Sequence, residues 1–458
     1  MQRAMIRAQP PLEFIPPAFN SGVYRFFKAI LPLWLRSQTN LASIDGDRLE
    51  VLAEYFSQFQ QGKIRLLLAF RHPSVNDPYC MADLLWKKLP RVAKENNIPL
   101  KFPLHAHFMY DRGIPLWAGS AVGWIYSHLG GIPIQRGKAD LVGLRSARNL
   151  FLNSNMPIAA APEGATNGHN EIISPIEPGI SQLAFWCVED LRKAQRNETV
   201  IILPIGIQYF YLTPPWAEIA QLITQLEREC GIASGTPDHA IAQEQLYSRL
   251  IGLGERLLGL MEQFYRDYYR QILPAPPDDQ TLSPNDRLAF RLQNLLNVAL
   301  QVAEDFFAIP ATGSLIDRCR RVEQAGWDLI FREELKATNP LSAVERGLID
   351  RVAEEADLRM WHMRIVETFV AVTGSYVQEK PSVERFAETS LLLWDLVTRI
   401  QGGNGLLRPK LGKQSVKITI GDPISVSDRA LDYRSHRRQA VATLTQDLQN
   451  HLESLIIR

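Results

Sequence analysis

Cysteine is scarce and scattered. Cys80, Cys187, Cys230 and Cys319 lie far apart and form no C-x-x-C pair, so neither a disulfide framework nor a structural zinc site is indicated. A reducing, cytoplasmic setting fits best. An excess of one charge is also missing. Fifty basic residues face forty-nine acidic ones, a formal net charge of +1, which argues against a nucleic-acid partner held by bulk positive charge. The first twenty residues carry arginines, prolines and a glutamate but no apolar core followed by small residues, unlike a secretory signal. No repeat of fixed period is visible. Apolar material is plentiful: 46% of the 458 residues are hydrophobic and 22% charged, enough for a core and against disorder as the main state. At roughly 150 residues per domain, the length suggests about three units, or one large domain with an appendage.

Clean apolar runs of the roughly 20 residues that cross a bilayer are absent too. Val23–Arg36 (VYRFFKAILPLWLR) is short, and Arg25, Lys28 and Arg36 interrupt it. Two readings stand for it: an amphipathic helix lying in a membrane interface, or an ordinary helix packed on the core. Ile114–Ile134 has no charged residue, but Pro115, Gly130, Gly131 and Pro133 break it at both ends. That leaves a buried or interfacial helix of about fifteen residues rather than a span. The expectation is a peripheral or monotopic protein on the cytoplasmic face of a membrane, with residues 1–40 as the interfacial segment.

Between residues 60 and 211, short β-rich runs alternate with helical patterns. Strands are expected at Lys63–Phe70, Pro99–His107, Ile132–Gln135, Pro157–Ala161 and Val200–Phe210, and helices at Ala139–Asn153 and Gly179–Lys193. This is an α/β pattern, a mixed sheet flanked by helices, whose ligand sites usually sit at the carboxyl ends of strands. From Trp216 to Arg399 the spacing is helical, as in Leu246, Leu250, Leu253 and Leu257, which predicts a bundle of roughly six helices. Strand character returns at Ser415–Ile420, and a final amphipathic helix covers Arg434–Ile457. The simplest organisation is an α/β domain over 41–212, an all-α bundle inserted over 213–412, and a strand and helix over 413–458 that rejoin the sheet.

Four constellations follow these strands. His72-Pro-Ser-Val-Asn-Asp77 places a histidine, suited to general-base work near neutral pH, five residues before a carboxylate that can fix its tautomer. The plain alternative is that Asp77, next to Pro78, only starts a helix. Gly130-Gly-Ile-Pro-Ile-Gln-Arg136 ends in a guanidinium fork suited to a phosphate or a carboxylate. Ala161-Pro-Glu-Gly-Ala-Thr-Asn167 presents Glu163 beside a glycine that permits close backbone approach. Val200–Ile205 is an apolar strand containing Pro204, which predicts an edge or a bulge.

Together these resemble, in order and spacing, the four blocks of the glycerolipid acyltransferase family, typified by 1-acylglycerol-3-phosphate acyltransferase. The family forms are His-x4-Asp, G-x5-R, FPEGTRS and an apolar block with proline. Pro178-Gly179 through Ala184 and Ile420–Ile424 (IGDPI) look like later family features. The resemblance covers about 20–212 and 413–458; residues 213–412 have no counterpart in the minimal family domain. It implies an acyltransferase-type fold and transfer of an acyl group from acyl-CoA or acyl carrier protein to a hydroxyl of a lipid acceptor at a membrane surface. No metal or other cofactor is implied. His72 would be the general base, Asp77 its orienter, and attack would be direct. Arg136 would hold an acceptor phosphate, Glu163, Gly164 and Thr166 would position the acceptor, and Gly130 and Pro204 would line the acyl or acceptor pocket.

One departure bears on the acceptor. Where the family commonly has Thr-Arg-Ser, this chain has Ala165, Thr166 and Asn167, so a second phosphate-binding arginine is missing. A neutral hydroxyl bonds about half as strongly as a charged donor. The expected acceptor is a lysophospholipid of the lysophosphatidic acid type; the missing charge weakens recognition of a bare phosphomonoester unless Lys138 and Arg145 compensate, and the Thr166-Asn167-Gly168 ending resembles members acting on lysophospholipids with head groups. A non-phosphorylated lipid alcohol and an inactive scaffold are the alternatives. His105 and His107 share one face of an expected strand, a spacing compatible with a metal, but no third ligand is identifiable and packing is the better reading. Gly252-Leu-Gly254 lacks a preceding strand and is no dinucleotide fingerprint. The cluster Phe264–Tyr269 and the patch Arg434, Arg437 and Arg438 read as helix faces.

Overall fold

The fold is that of a computed structural model, which describes residues 6–115, 119–135, 140–233, 243–276, 283–336, 341–369, 375–405 and 407–457. The chain divides into two compact units, Phe14–Leu212 with Lys413–Arg458, and Met1–Glu13 with Thr213–Gly412. The expected 1–40 segment is therefore not one piece. Ala8 is buried in the second unit, where its N–H donates to Asp350 Oδ1 at 3.0 Å, and Gln9 forms a bridge with Phe331.

The first unit is built on a mixed eight-stranded sheet. Its strands are β1 (Leu41–Asp47), β2 (Ile64–Phe70), β3 (His107–Asp111), β4 (Ile132–Ile134), β5 (Ile158–Ala160), β6 (Thr199–Tyr211), β7 (Gln414–Ile420) and β8 (Ile424–Ser425). They run in the order β1-β7-β6-β2-β5-β3-β4, with β8 also on β6. Pairing is parallel except where β7 and β8 meet β6. All of β2 is buried. Its period-two alternation sends Leu66, Leu68 and Phe70 into one core cluster and Leu67 and Ala69 into the other, so helices must cover both faces. Each fully buried leucine there contributes about 2 kcal/mol.

Two strands differ from expectation. Residues 99–106 do not pair as a strand, and β3 starts only at His107. Pro99 and Pro103 have no N–H to give to a ladder, which pushes the strand downstream. β1 was not foreseen: of LASIDGD only Leu41 and Ile44 are buried, so an edge strand with Asp and Gly shows no alternation to detect.

Helix α1 (Ser21–Gln38) is capped by Asn20, whose Oδ1 accepts from Gly22 N and Val23 N at 2.8 and 3.1 Å. It packs on the core through one side and leaves apolar side chains exposed on another. Tyr24, Leu31 and Leu35 are buried, while Phe26, Leu33 and Trp34 form a second stripe that is 59%, 69% and 43% exposed. α2 (Leu49–Gln60) and α3 (Asp77–Asp83) follow, and α3 starts at the site described below. Among the described residues no helix is long and apolar enough to cross a membrane.

The second unit is helical. Its long helices are Trp216–Glu229, Gln243–Tyr269, Pro284–Phe307, Leu315–Ile330, Ala343–Phe369 and Val383–Ile400. Buried stripes such as Leu246, Leu250, Leu253 and Leu257 face its core. Ser314 and Asp317 form a capping box at one helix start. A buried pair, Arg318 Nη2 to Glu304 Oε2 at 2.7 Å, ties two of the helices together.

Candidate active site

β2 ends at Phe70, Arg71 N still donates to Ile205 O at 2.9 Å, and His72 emerges at the carboxyl end of the sheet. Asp77 is the first residue of α3, but its carboxylate does not cap that helix. Oδ2 accepts from His72 Nδ1 at 2.9 Å and from Ser74 N at 2.8 Å, and Oδ1 accepts from the Tyr209 hydroxyl. Asp77 is wholly buried, whereas the His72 side chain is 21% exposed. A carboxylate only accepts, so His72 carries its proton on Nδ1 and leaves Nε2 as the acceptor. The Thr166 hydroxyl lies 3.1 Å from that nitrogen.

Tyr209 was not legible as a site residue, and its placement has a topological cause. Pairing of β2 with β6 stops at Phe70 and Ile205, while β6 continues to Tyr211. In place of the missing strand, the Asn170 side chain pairs with Tyr209: Nδ2 donates to Tyr209 O at 2.8 Å, and Tyr209 N donates to Oδ1 at 2.9 Å. Burial, and then the Asp77 charge, raise the Tyr209 hydroxyl well above its ordinary pKa, so it stays a donor. Cys80 is buried with its Sγ 3.5 Å from the same hydroxyl, and burial pushes its thiol up, which makes it inert.

Glu163 points inward. Its Oε1 accepts from His72 N at 2.9 Å and lies 3.6 Å from Arg71 Nε. Its Oε2 accepts from Asn167 Nδ2 at 2.8 Å and from Ser174 N at 3.2 Å. The carboxylate therefore positions the backbone of His72 instead of facing an acceptor directly. Arg71, also unforeseen, is buried and donates to the carbonyls of Asn170, of His169 at 3.2 Å and of Ile172 at 2.7 Å, which shapes the loop after the third block. A histidine flanked by an arginine was the only signal for it. Gly164 has φ +72°, and a Cβ there would meet Glu177 Oε1 at 2.4 Å.

Arg136 and Lys138 fall outside the described residues. The ends of their segment are joined by Asp140, whose Oδ2 accepts from Gln135 N at 2.9 Å and pairs with Arg112. Arg145 is exposed on the helix Leu141–Asn153. Gly130 has φ +75° in a turn, and its carbonyl accepts from His107 Nδ1 at 2.6 Å. Pro204 is buried in an interior strand, not an edge, opposite Ala69. On its other side β7 and β8 are interrupted by Gly421–Pro423, and Gly421 N donates to Pro204 O at 2.8 Å. A bulge thus lies across from the residue that lacks an N–H, which is how an interior strand tolerates it. Among the described residues neither Gly130 nor Pro204 hydrogen-bonds to His72, Asp77 or Glu163.

His105 and His107 are structural. His105 Nε2 donates to Leu129 O at 2.8 Å while Nδ1 accepts from Trp86 Nε1 at 3.0 Å, and burial lowers its pKa to about 4. His107 donates to Gly130 and contacts Ser154 Oγ at 2.7 Å through Nε2, so both rings are fully engaged. Among the described residues no group of three His, Cys, Asp or Glu is placed to hold a metal. No protein-family model, curated protein or solved structure matches the chain.

Proposed function

We propose that the protein is an O-acyltransferase that moves a fatty acyl group from acyl-CoA or acyl carrier protein to the free hydroxyl of a lysophospholipid in phospholipid synthesis or remodelling. The observation that carries this reading is the His72–Asp77 pair, with Nδ1 held by a buried carboxylate and Nε2 turned to a hydroxyl at 3.1 Å. A neutral imidazole so oriented can take a proton from an attacking hydroxyl, and the carboxylate stabilises the imidazolium that forms. The four motif blocks support the acyl chemistry. On this reading the sheet is an acyltransferase-type domain, and residues 213–412 are a helical insertion within it.

A membrane surface supplies the lipid acceptor. The exposed Phe26, Leu33 and Trp34 stripe favours it, with Arg25 and Arg36 exposed on the same helix to meet anionic head groups. The donor thioester is a co-substrate, and no further cofactor is proposed. Arg136 would hold the acceptor phosphate, with Thr166 in place of a second arginine favouring a phosphodiester.

Thiol release from acyl-CoA and acyl carrier protein tests the reading, with lysophosphatidic acid and headgroup-bearing lysophospholipids offered in parallel. Wild type should release thiol in the presence of an acceptor, and His72→Ala should lose on the order of a hundredfold or more in rate. Absence of turnover with every pair would favour the scaffold alternative. Indifference to Arg136→Ala would favour a non-phosphorylated alcohol.

A further inference from the structure

Half of the residues around one cavity in the second unit are leucines, and none of its lining residues is charged. The cavity lies between the helices Gln243–Tyr269 and Pro284–Phe307, with Phe369, Val377 and Leu393 completing its wall. It holds about 880 Å³ of unfilled space, its open mouth included. Small-molecule sites run from about 300 to 1,000 Å³. Close-packed interiors leave few voids larger than a water molecule, and an apolar void stays dry. On the first helix the lining runs from Leu250 to Met261, about 16 Å at 1.5 Å per residue, so the space is long. Its wall is also quiet chemically. The Tyr376 hydroxyl is satisfied by Glu388 Oε2 at 2.6 Å, which leaves Thr389 as the other polar side chain.

Ile251, Gly254, Leu288, Ala289 and Leu292 are the half-buried lining residues of the two helices, and they mark the mouth. A glycine inside a helix is destabilising relative to alanine. No close backbone approach demands one here, because a Cβ on Gly254 would meet nothing within 4 Å. Its effect is to leave the mouth without a side chain across it. Charges of both signs flank this opening. Glu255 follows Gly254, Arg287 precedes Leu288, and Arg291 pairs with Glu262 at 2.8 Å. Neither an anionic nor a cationic head group is selected by such a rim.

We propose that this cavity is a binding site for one long unbranched aliphatic chain, whose polar head stays at the mouth beside Gly254. A long, aliphatic, uncharged space selects on chain length and is indifferent to the head, so fatty acids and lysolipids share it. The site involves no group transfer and is independent of the chemistry at His72.

Calorimetric titration of the full chain tests this, with decanoate, dodecanoate and tetradecanoate kept below the concentrations at which they form micelles. Decanol and decanoyl-lysophosphatidylcholine vary the head at constant chain length. One chain should bind per protein, tightening about three- to fourfold per added methylene until the cavity is full. The three ten-carbon ligands should bind with similar affinity. Gly254→Phe should plug the mouth and weaken binding on the order of tenfold or more, with no loss of melting temperature. Gly252→Phe is the matched control: Gly252 is exposed on the same helix, is not part of the lining, and has nothing within 4 Å of its Cβ position, so this variant should bind as wild type does. Ala289→Leu, a smaller plug on the facing helix, repeats the test if Gly254→Phe proves less stable. Undiminished binding in both plugged variants would overturn the proposal and place the chain elsewhere. An affinity that ignores chain length, or follows one head group alone, would also overturn it, as would no binding of any of the five ligands.

Discussion

The Tyr209 hydroxyl and Asp77 Oδ1 form a buried hydrogen bond between the middle of the sheet and the first turn of α3. Asp77 thereby has donors on both oxygens, and the carboxylate that orients His72 cannot swing. Tyr209→Phe keeps the ring and removes the donor. It should lower stability by about 1.5–3 kcal/mol, the range for a hydrogen bond to a charged group, and slow the proposed acyl transfer. Urea unfolding and thiol release check this. Unchanged values for both would mean that the bond is incidental.

Glu163→Gln should be more damaging than its size suggests. The amide would turn an NH2 group toward Asn167 Nδ2 and Ser174 N, or toward His72 N, all of which are donors. It would also leave buried Arg71 without its nearby carboxylate. Breaking a buried ionic contact of this kind costs about 3–5 kcal/mol. A melting temperature close to wild type would contradict the account.

At Gly164 a side chain meets both a left-handed backbone and the Glu177 carboxylate. Gly164→Ala should cost about 1–3 kcal/mol and reduce activity by displacing Thr166 two residues later. If the clash with Glu177 is the larger part, adding Glu177→Ala should restore some of the lost stability in a denaturant melt.

His105 introduces a pH dependence. Burial lowers its pKa to about 4, below the unfolded value near 6.5, so the unfolded chain binds the extra proton in between. Its contribution to stability is complete above about pH 6.5 and declines as pH falls toward 4. His105→Gln can still accept from Trp86 and donate to Leu129 but cannot titrate. Its stability should fall less steeply than wild type across that window in urea melts at stepped pH. An equal slope would assign the acid sensitivity to other groups.

The α1 stripe should govern the proposed membrane contact. Phe26→Ser, Leu33→Ser and Trp34→Ser together remove exposed apolar surface without touching Tyr24, Leu31 or Leu35. Sedimentation with anionic vesicles should lose the protein to the supernatant while circular dichroism stays unchanged. Retention on vesicles by the triple variant would move the membrane contact elsewhere.

By itself the sequence determined the elements with strong periodicity and the short-range motif. β2, β6 and the long helices after Trp216 follow from apolar spacing, and His72 and Asp77 meet across one turn because only four residues separate them. Such features depend on neighbours along the chain. Contacts between distant segments were decided by the tertiary structure. Tyr209 reaches Asp77 only because β6 outlasts β2, and Asn170 serves it only because Arg71 folds the intervening loop inward. Pro204 could be read as an edge residue until the bulge opposite it was in place. Thr166 and His72 lie 94 residues apart. No spacing rule joins them, and their meeting is set by the parallel pairing of β2 with β5, which delivers both loops to one end of the sheet.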